Sequence, residues 1–260
     1  MRRRLPLLIV VVALIGAVFV VLPVIALAMR APWGRFGETL AGPGARAALR
    51  LSLEVSLAAT VLSVVFGVPL AWVLARGEFR GRSVLRAMVV LPIVLPPVVA
   101  GVGLLQALGR RGIAGEWLIK AFGIQLTFST AGAIVAAWFV SMPLVVLAAE
   151  AGFRGLDVRY ERAASVLGAS PGYALRRVVL PMVAPQLAAG AVLAWARALG
   201  EFGATITFAG NLQGRTQTVP LAVFQQLQTD SEGAVALSLV LVVISVAVLV
   251  VLRDRITGAA

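Results

Sequence analysis

The sequence predicts an all-α integral membrane protein, a single domain over residues 1–260 with six transmembrane helices. Three observations predict it. Of the 260 residues, 60% are hydrophobic, against about 45–50% in soluble domains, and the mean hydropathy is +0.99. Apolar runs recur at lengths near the roughly 20 residues that a helix needs to cross the hydrocarbon. The charges that remain gather mainly in the short segments between those runs.

Six segments meet the length requirement: residues 5–29, 51–75, 84–108, 131–150, 182–208 and 233–252. The first follows Arg2, Arg3 and Arg4 and ends near Ala26-Leu27-Ala28, which resembles a signal-peptide cleavage site. A signal core runs about 7–15 residues, and this run is longer, so an uncleaved span is expected. The second carries Ser52, Ser56, Thr60, Ser63 and Gly67 at helical spacing, a small-polar stripe that suits close helix packing or a lining role. Glu54, on another face near the outer end, is placed to snorkel or to pair with Arg50. The third contains Pro92, Pro96 and Pro97, which interrupt the backbone ladder and imply a kink. Ser141 and Pro143 give the fourth a weaker version of the same feature. The fifth holds Arg197 and Glu201, four residues apart and positioned to pair.

Orientation follows from the basic residues, which are retained on the cytoplasmic side. With both termini inside, the cytoplasmic segments hold Arg2, Arg3 and Arg4, then Arg76, Arg80, Arg82 and Arg86, then Arg154, Arg159, Arg162, Arg176 and Arg177, then Arg253 and Arg255, a majority of the 23 basic residues. The net charge of +12 is thereby explained by topology, not by nucleic acid. The outer segments near 30–49, 109–130 and 209–232 are too short for a soluble substrate-binding domain.

The absent residues exclude whole classes of chemistry. Without Cys there is no disulfide, thiol nucleophile or cysteine metal site, and without His the commonest general base and metal ligand are missing. No catalytic, metal or cofactor site is expected. The single lysine, Lys120, follows Ile119, whereas a phosphate-binding Walker loop requires Gly before its Lys. Any ATP hydrolysis must come from another chain.

The stretch Asp157–Pro181 is the most informative. Asp157 is placed to cap a helix starting at Val158. Tyr160, Ala163, Ala164 and Leu167 make one apolar face at 3.6-residue spacing, and Arg159, Arg162 and Ser165 make a polar one. Gly168 is placed for a left-handed stop. Ser170 then caps a second helix with Pro171 at its first position, and Arg176 and Arg177 lie toward its end. A plain connection needs only a few residues. Two readings fit the pattern: a rigid cytoplasmic knuckle that docks into a partner, or an amphipathic element lying on the headgroups.

The same stretch resembles the cytoplasmic EAA loop of bacterial ABC importer permeases, Glu-Ala-Ala-x3-Gly, nine residues, then Ile-x-Leu-Pro. Ala163-Ala164, Gly168 and Val178-Val179-Leu180-Pro181 match that spacing. The Glu position holds Arg162, with Glu161 just before it. Elsewhere "LRLSLEVSLAAT", "GRSVLRAMVVLPIVLPPVVAGVGLL", "ARALGEFGATITFAGN" and "GRTQTVPLAVF" resemble the molybdate permease family. Sulfate/thiosulfate permeases share the Ala-Leu-Gly-Glu-Phe-Gly core, and tungstate is nearly isosteric with molybdate.

The resemblance implies a bacterial inner-membrane, multi-pass permease with a coupling-helix loop between spans four and five. Its implied partners are a second copy of itself, two ATP-binding ABC subunits on the cytoplasmic side, an extracytoplasmic oxyanion-binding protein and membrane lipid, with no nucleic acid. The coupling residues it implies are Asp157, Tyr160, Glu161, Arg162, Ala163, Ala164, Gly168, Ala169, Ser170, Leu180 and Pro181. The pathway candidates are Ser56, Thr60, Pro96, Pro97, Arg197, Glu201, Gly203, Thr205 and Thr207. The carboxylate of Glu201 would repel a divalent oxyanion, so Thr205 and Thr207 are the better donors to it. A rival reading, an ion-coupled transporter with Glu54 or Glu201 as proton site, does not explain the capped knuckle.

Overall fold

Leu7–Arg30 forms the first helix, α1, in a computed structural model that describes residues 6–256, with side chains to residue 248 and at 250. Arg2, Arg3 and Arg4 lie outside the described residues, as do the side chains of Arg253 and Arg255. The 24 residues of α1 span about 36 Å at 1.5 Å per residue, enough to cross the hydrocarbon. None of them is buried against the rest of the chain. A short α2 (Phe36–Ala41) leads to α3 (Pro43–Arg76), which opens on a proline where a missing N–H leaves no bond unmade.

The expected third span divides into α4 (Arg82–Val94) and α5 (Pro97–Leu108). Leu95 and Pro96 between them are extended, each with ψ of 134°. A residue preceding proline is pushed out of the helical region, and here two successive residues precede prolines. The pair therefore breaks the helix outright instead of kinking it.

Helix α6 (Gly115–Phe122) lies in the connection to α7 (Thr130–Gly155). In α6, Lys120 donates to Glu116 at 2.5 Å, and that hydrogen bond and charge hold the Glu116 carboxyl below its ordinary range. Ser129 caps α7, its Oγ accepting from Gly132 N at 3.1 Å. After α7 come α8 (Arg159–Val166), α9 (Pro171–Ala174), a π-helical turn (Leu175–Val179) and α10 (Leu180–Met182). The expected fifth span is α11 (Ala184–Leu199) and α12 (Gly203–Phe208), followed by α13 (Val219–Gln226) and α14 (Ser231–Ile256).

Helices α1, α3, α7 and the Ser231–Val248 part of α14 are each long and apolar enough to cross a membrane. The pair Pro171–Met182 and Ala184–Leu199, bent by 73°, raises the count to five. Six unbroken spans are therefore not found among the described residues. The third is divided at Leu95–Pro96, and the fifth at Val183 and again at Gly200–Phe202.

The core is α3, α7 and α11, each packed on the other two. Helix α12 lies against α5 and α7, and α13 against α3 and α14. Lipid tails are as apolar as leucine, so packing and interhelical hydrogen bonds must hold such a bundle. The interfaces accordingly use small residues: Ala59, Ala133, Ala136, Ala137, Ala194 and Ala198 are all buried. The α3 stripe makes two of the ties. Ser63 Oγ lies 3.1 Å from Ser141 Oγ on α7. Ser52 Oγ accepts from Val219 N at 2.7 Å, serving an N–H in the first turn of α13 that has no partner within its own helix. Interhelical bonds of this kind average about 0.6 kcal/mol. Glu54 is exposed, and of its two expected arrangements the pair with Arg50 is not formed among the described residues.

Candidate functional site

Two regions carry most of the candidate residues: the α8–α10 knuckle and the crossing of α12 with α5.

In the knuckle, Asp157 Oδ1 accepts from Arg159 N at 2.9 Å. The helix starts at Arg159, one residue later than expected, with Val158 in the cap position. At the far end of α8, Gly168 takes φ of +83°. Its N–H donates to Ser165 O and that of Ala169 to Ala164 O, both at 3.0 Å, the paired bonds of a Schellman ending. Ser170 Oγ accepts from Tyr173 N at 3.3 Å, and Pro171 takes the first helical position. Two caps and a left-handed stop fix the angle between the short helices.

The apolar face then has a definite shape. Tyr160, Ala163, Ala164 and Leu167 line an open groove of about 740 Å³ together with Gly168, Ala169, Ser170, Tyr173 and Val178. Leu167 is 88% exposed, and Tyr160 and Tyr173 are also exposed. Glu161 points the other way. Its Oε1 accepts from Arg76 Nε at 3.0 Å and lies 2.8 Å from Arg76 Nη2. The same guanidinium donates to Leu156 O at 3.1 Å. Arg76 thus ties the end of α3 to both sides of the turn into α8. Arg162 is exposed and forms no ion pair among the described residues.

Leu180 and Pro181 set how the knuckle joins the bundle. Pro181 has no N–H for the carbonyl four residues earlier, and Leu180 N donates to Leu175 O, five residues back. The helix accommodates this as a π-turn and then bends by 73° at Val183 into α11.

At the second region, Arg197 and Glu201 pair as the i, i+4 spacing predicts. Glu201 is buried at 2% exposure, and Arg197 retains 35%. Sequence spacing did not show that Glu201 has a second bond: its Oε1 accepts from Ala204 N at 2.8 Å, in the first turn of α12. One carboxylate therefore spans the Gly200–Phe202 break, holding the end of α11 through Arg197 and the start of α12 through the backbone.

Helix α12 lies unusually close to α5. A Cβ on Gly203 would meet Pro97 Cβ at 2.5 Å, and one on Gly101 would meet Thr207 Cβ at 2.5 Å. The structure thus brings Pro97, Gly203 and Thr207 together, within a few residues of Arg197 and Glu201. Thr205 is buried on the same short helix, while the Thr207 hydroxyl donates to Gly203 O at 2.8 Å. Pro96 is exposed in the break before α5. Ser56 and Thr60 belong to the α3 stripe instead, where their hydroxyls donate to Leu53 O and Ser56 O at 3.2 and 2.7 Å.

Sequence reasoning missed Glu150. Its carboxylate, 2% exposed, lies 2.8 Å from Arg86 Nη2 and 2.9 Å from Arg154 Nη2, and its Oε2 accepts from Arg86 Nε at 3.1 Å. The Glu150–Arg154 spacing of four was the available signal. No group of residues suited to a metal ion is found among the described residues.

Comparison with known proteins places these features in context. Residues 63–259 match the family model described as binding-protein-dependent transport system inner membrane component. The chain is 50% identical over 240 residues to the molybdenum transport system permease protein ModB of Mycobacterium tuberculosis, covering 92% of this chain and 90% of that one. It is 37% identical over 232 residues to the sulfate transport system permease protein CysT of Escherichia coli, covering 88% and 83%. In fold it is similar to a chain of a bacterial ABC transporter involved in the import of the acidic polysaccharide alginate, with a TM-score of 0.70 at 18% identity and coverage of 95% and 93%.

Proposed function

Because this chain belongs to the family of binding-protein-dependent transport system inner membrane components, we propose that it is the membrane-spanning permease of an ATP-driven importer for molybdate. The observation that carries the substrate is the 50% identity to a molybdenum permease over nearly the whole chain, against 37% to a sulfate permease. The sulfate likeness keeps sulfate/thiosulfate as the second reading.

Two copies of the permease enclose the pathway, each receiving one ATP-binding subunit on the cytoplasmic knuckle, and an extracytoplasmic binding protein delivers the oxyanion. ATP favours one arrangement of the complex only through a difference in binding to the two arrangements. The knuckle is the element suited to transmit that difference. Its groove offers apolar surface to a partner, and its caps make it a lever. Motion of the lever reaches α11 through the bend at Val183 and α3 through the Arg76–Glu161 pair. From α11 it passes through Glu201 to α12 and so to α5. Arg197 supplies positive charge near this crossing, and Thr205 and Thr207 supply hydroxyls for weak, reversible contact with a passing anion, as release requires.

The test is uptake of radiolabelled molybdate by the assembled importer in vesicles loaded with ATP, competed with tungstate and sulfate. Uptake suppressed by tungstate but not by equal sulfate supports the proposal. Preferential suppression by sulfate selects the second reading, and uptake without nucleotide removes the ATP-driven mechanism.

A further inference from the structure

A polar cavity of about 380 Å³, apart from the knuckle groove, opens at the start of α4 and is lined by Phe79, Gly81, Arg82, Ser83, Arg86 and Arg154. Three guanidiniums line it, and among the described residues one carboxylate, buried Glu150, engages two of them. That carboxylate takes both Arg86 and Arg154. Arg82 donates to Gly77 O at 3.2 Å and pairs with no carboxylate among the described residues. The cavity therefore holds a surplus of positive charge.

The helix beside it adds to that surplus. The first-turn N–H groups of a helix lack intrahelical acceptors and carry the positive end of the dipole. Acidic residues normally occupy this turn. Helix α4 has none there and no side-chain cap, and it begins with Arg82 after Gly81 at φ of +92°. Arg82 in that turn therefore adds like charge to the positive end of the dipole, where an anion is favoured. Continuing along α4, Val84, Leu85 and Met88 are exposed apolar side chains. A basic recess thus opens beside a helix that carries exposed apolar side chains.

We propose that this recess is a site for a phosphate-type oxyanion carried on an anionic phospholipid, with the headgroup among Arg82, Arg86, Arg154 and Ser83 and the acyl chains along the exposed side chains of α4. Basic pockets between membrane helices take headgroups of this kind. The inference is independent of which anion the protein transports.

The experiment is native mass spectrometry of the assembled importer and of the full-length permease alone. Each is titrated with phosphatidylglycerol or phosphatidylcholine, with inorganic phosphate as a separate competitor. Retention of phosphatidylglycerol above phosphatidylcholine is expected in both preparations, falling about fivefold in Arg82→Gln, the worth of one cation at a lipid surface. Ser83→Ala is expected to weaken it less, and Arg80→Gln, outside the cavity, to leave it unchanged. These variants spare Arg86, whose loss would strand the buried carboxylate. Equal retention of the two lipids, or an unchanged Arg82→Gln, overturns the proposal. Displacement by millimolar phosphate assigns the site to a free anion and overturns the lipid as its source. Retention by the permease alone but not by the importer shows that a partner protein covers the recess and likewise overturns it.

Discussion

Arg76 holds Glu161 at 2.8 Å across a sequence separation of 85 residues, and this pair ties the knuckle to the longest core helix. The carboxylate sits one residue before the position at which EAA loops carry glutamate. It faces the permease body, leaving Arg162 exposed. Both members of the pair are about one-fifth exposed, so the interaction is screened less than a surface pair. A double-mutant cycle with Arg76→Gln and Glu161→Gln is expected to give a coupling energy of about 1 kcal/mol in thermal unfolding. Either single variant is expected to lower substrate-stimulated ATPase in the assembled importer more than it lowers basal ATPase. Additive single effects would remove the tie.

Gly168 presents a different kind of constraint. A Cβ there meets nothing within 4 Å, so substitution acts through the backbone alone. At φ of +83° a bulky L-residue costs about 1–2 kcal/mol, and asparagine costs less. Molybdate uptake is expected to fall in the order wild type, Gly168→Asn, Gly168→Val. Equal uptake by all three would show that the angle between α8 and α9 is immaterial to transport.

The contact of α12 with α5 is steric. Gly101→Ala and Gly203→Ala each force a carbon to within 2.5 Å of a neighbour on the other helix. Each is expected to lower stability by about 1–3 kcal/mol and to impair uptake. Gly103→Ala, with nothing within 4 Å, is the control, and a control as damaging as the other two would contradict the packing argument.

Glu201 combines pairing with capping. Breaking a buried pair by removing one partner costs about 3–5 kcal/mol. Because Arg197 is 35% exposed, solvent discounts this, and Glu201→Ala is expected to cost about 2 kcal/mol. Glu201→Gln keeps an acceptor for Ala204 N and is expected to lose less. Adding Arg197→Leu to Glu201→Gln removes the stranded charge and should recover part of the stability without restoring uptake. Full recovery of uptake in the double variant would rule out a transport role for the pair.

Much of this was legible in the chain because the signals were local. Gly168, Ser170 and Pro171 each dictate a backbone event within one turn, and the structure shows each where the residue types require it. The Arg197–Glu201 pair follows from a spacing of four. Two features depended on more than pattern. Hydropathy alone treats residues 84–108 as one span, yet Pro96 and Pro97 force two successive extended residues and divide it. The fifth segment hides its break because a carboxylate, not a turn signal, joins α11 to α12. Ties that cross the bundle were not legible at all: Arg76 to Glu161, Arg86 to Glu150 and Ser52 to Val219 join distant stretches, and only the packing of α3, α4, α7, α8 and α13 brings them together.

The absence of cysteine allows a direct test of the knuckle as the docking element. A single Leu167→Cys, at a side chain 88% exposed on the groove, serves as a unique crosslinking position in the assembled importer, with Ile113→Cys, at 92% exposure in the loop before α6, as the comparison. The measurement is the yield of permease–ATPase crosslink with and without ATP. The account predicts a crosslink from position 167 whose yield changes with nucleotide, and none from position 113. Absence of any crosslink from 167, while the ATPase is captured elsewhere on the permease, would contradict it.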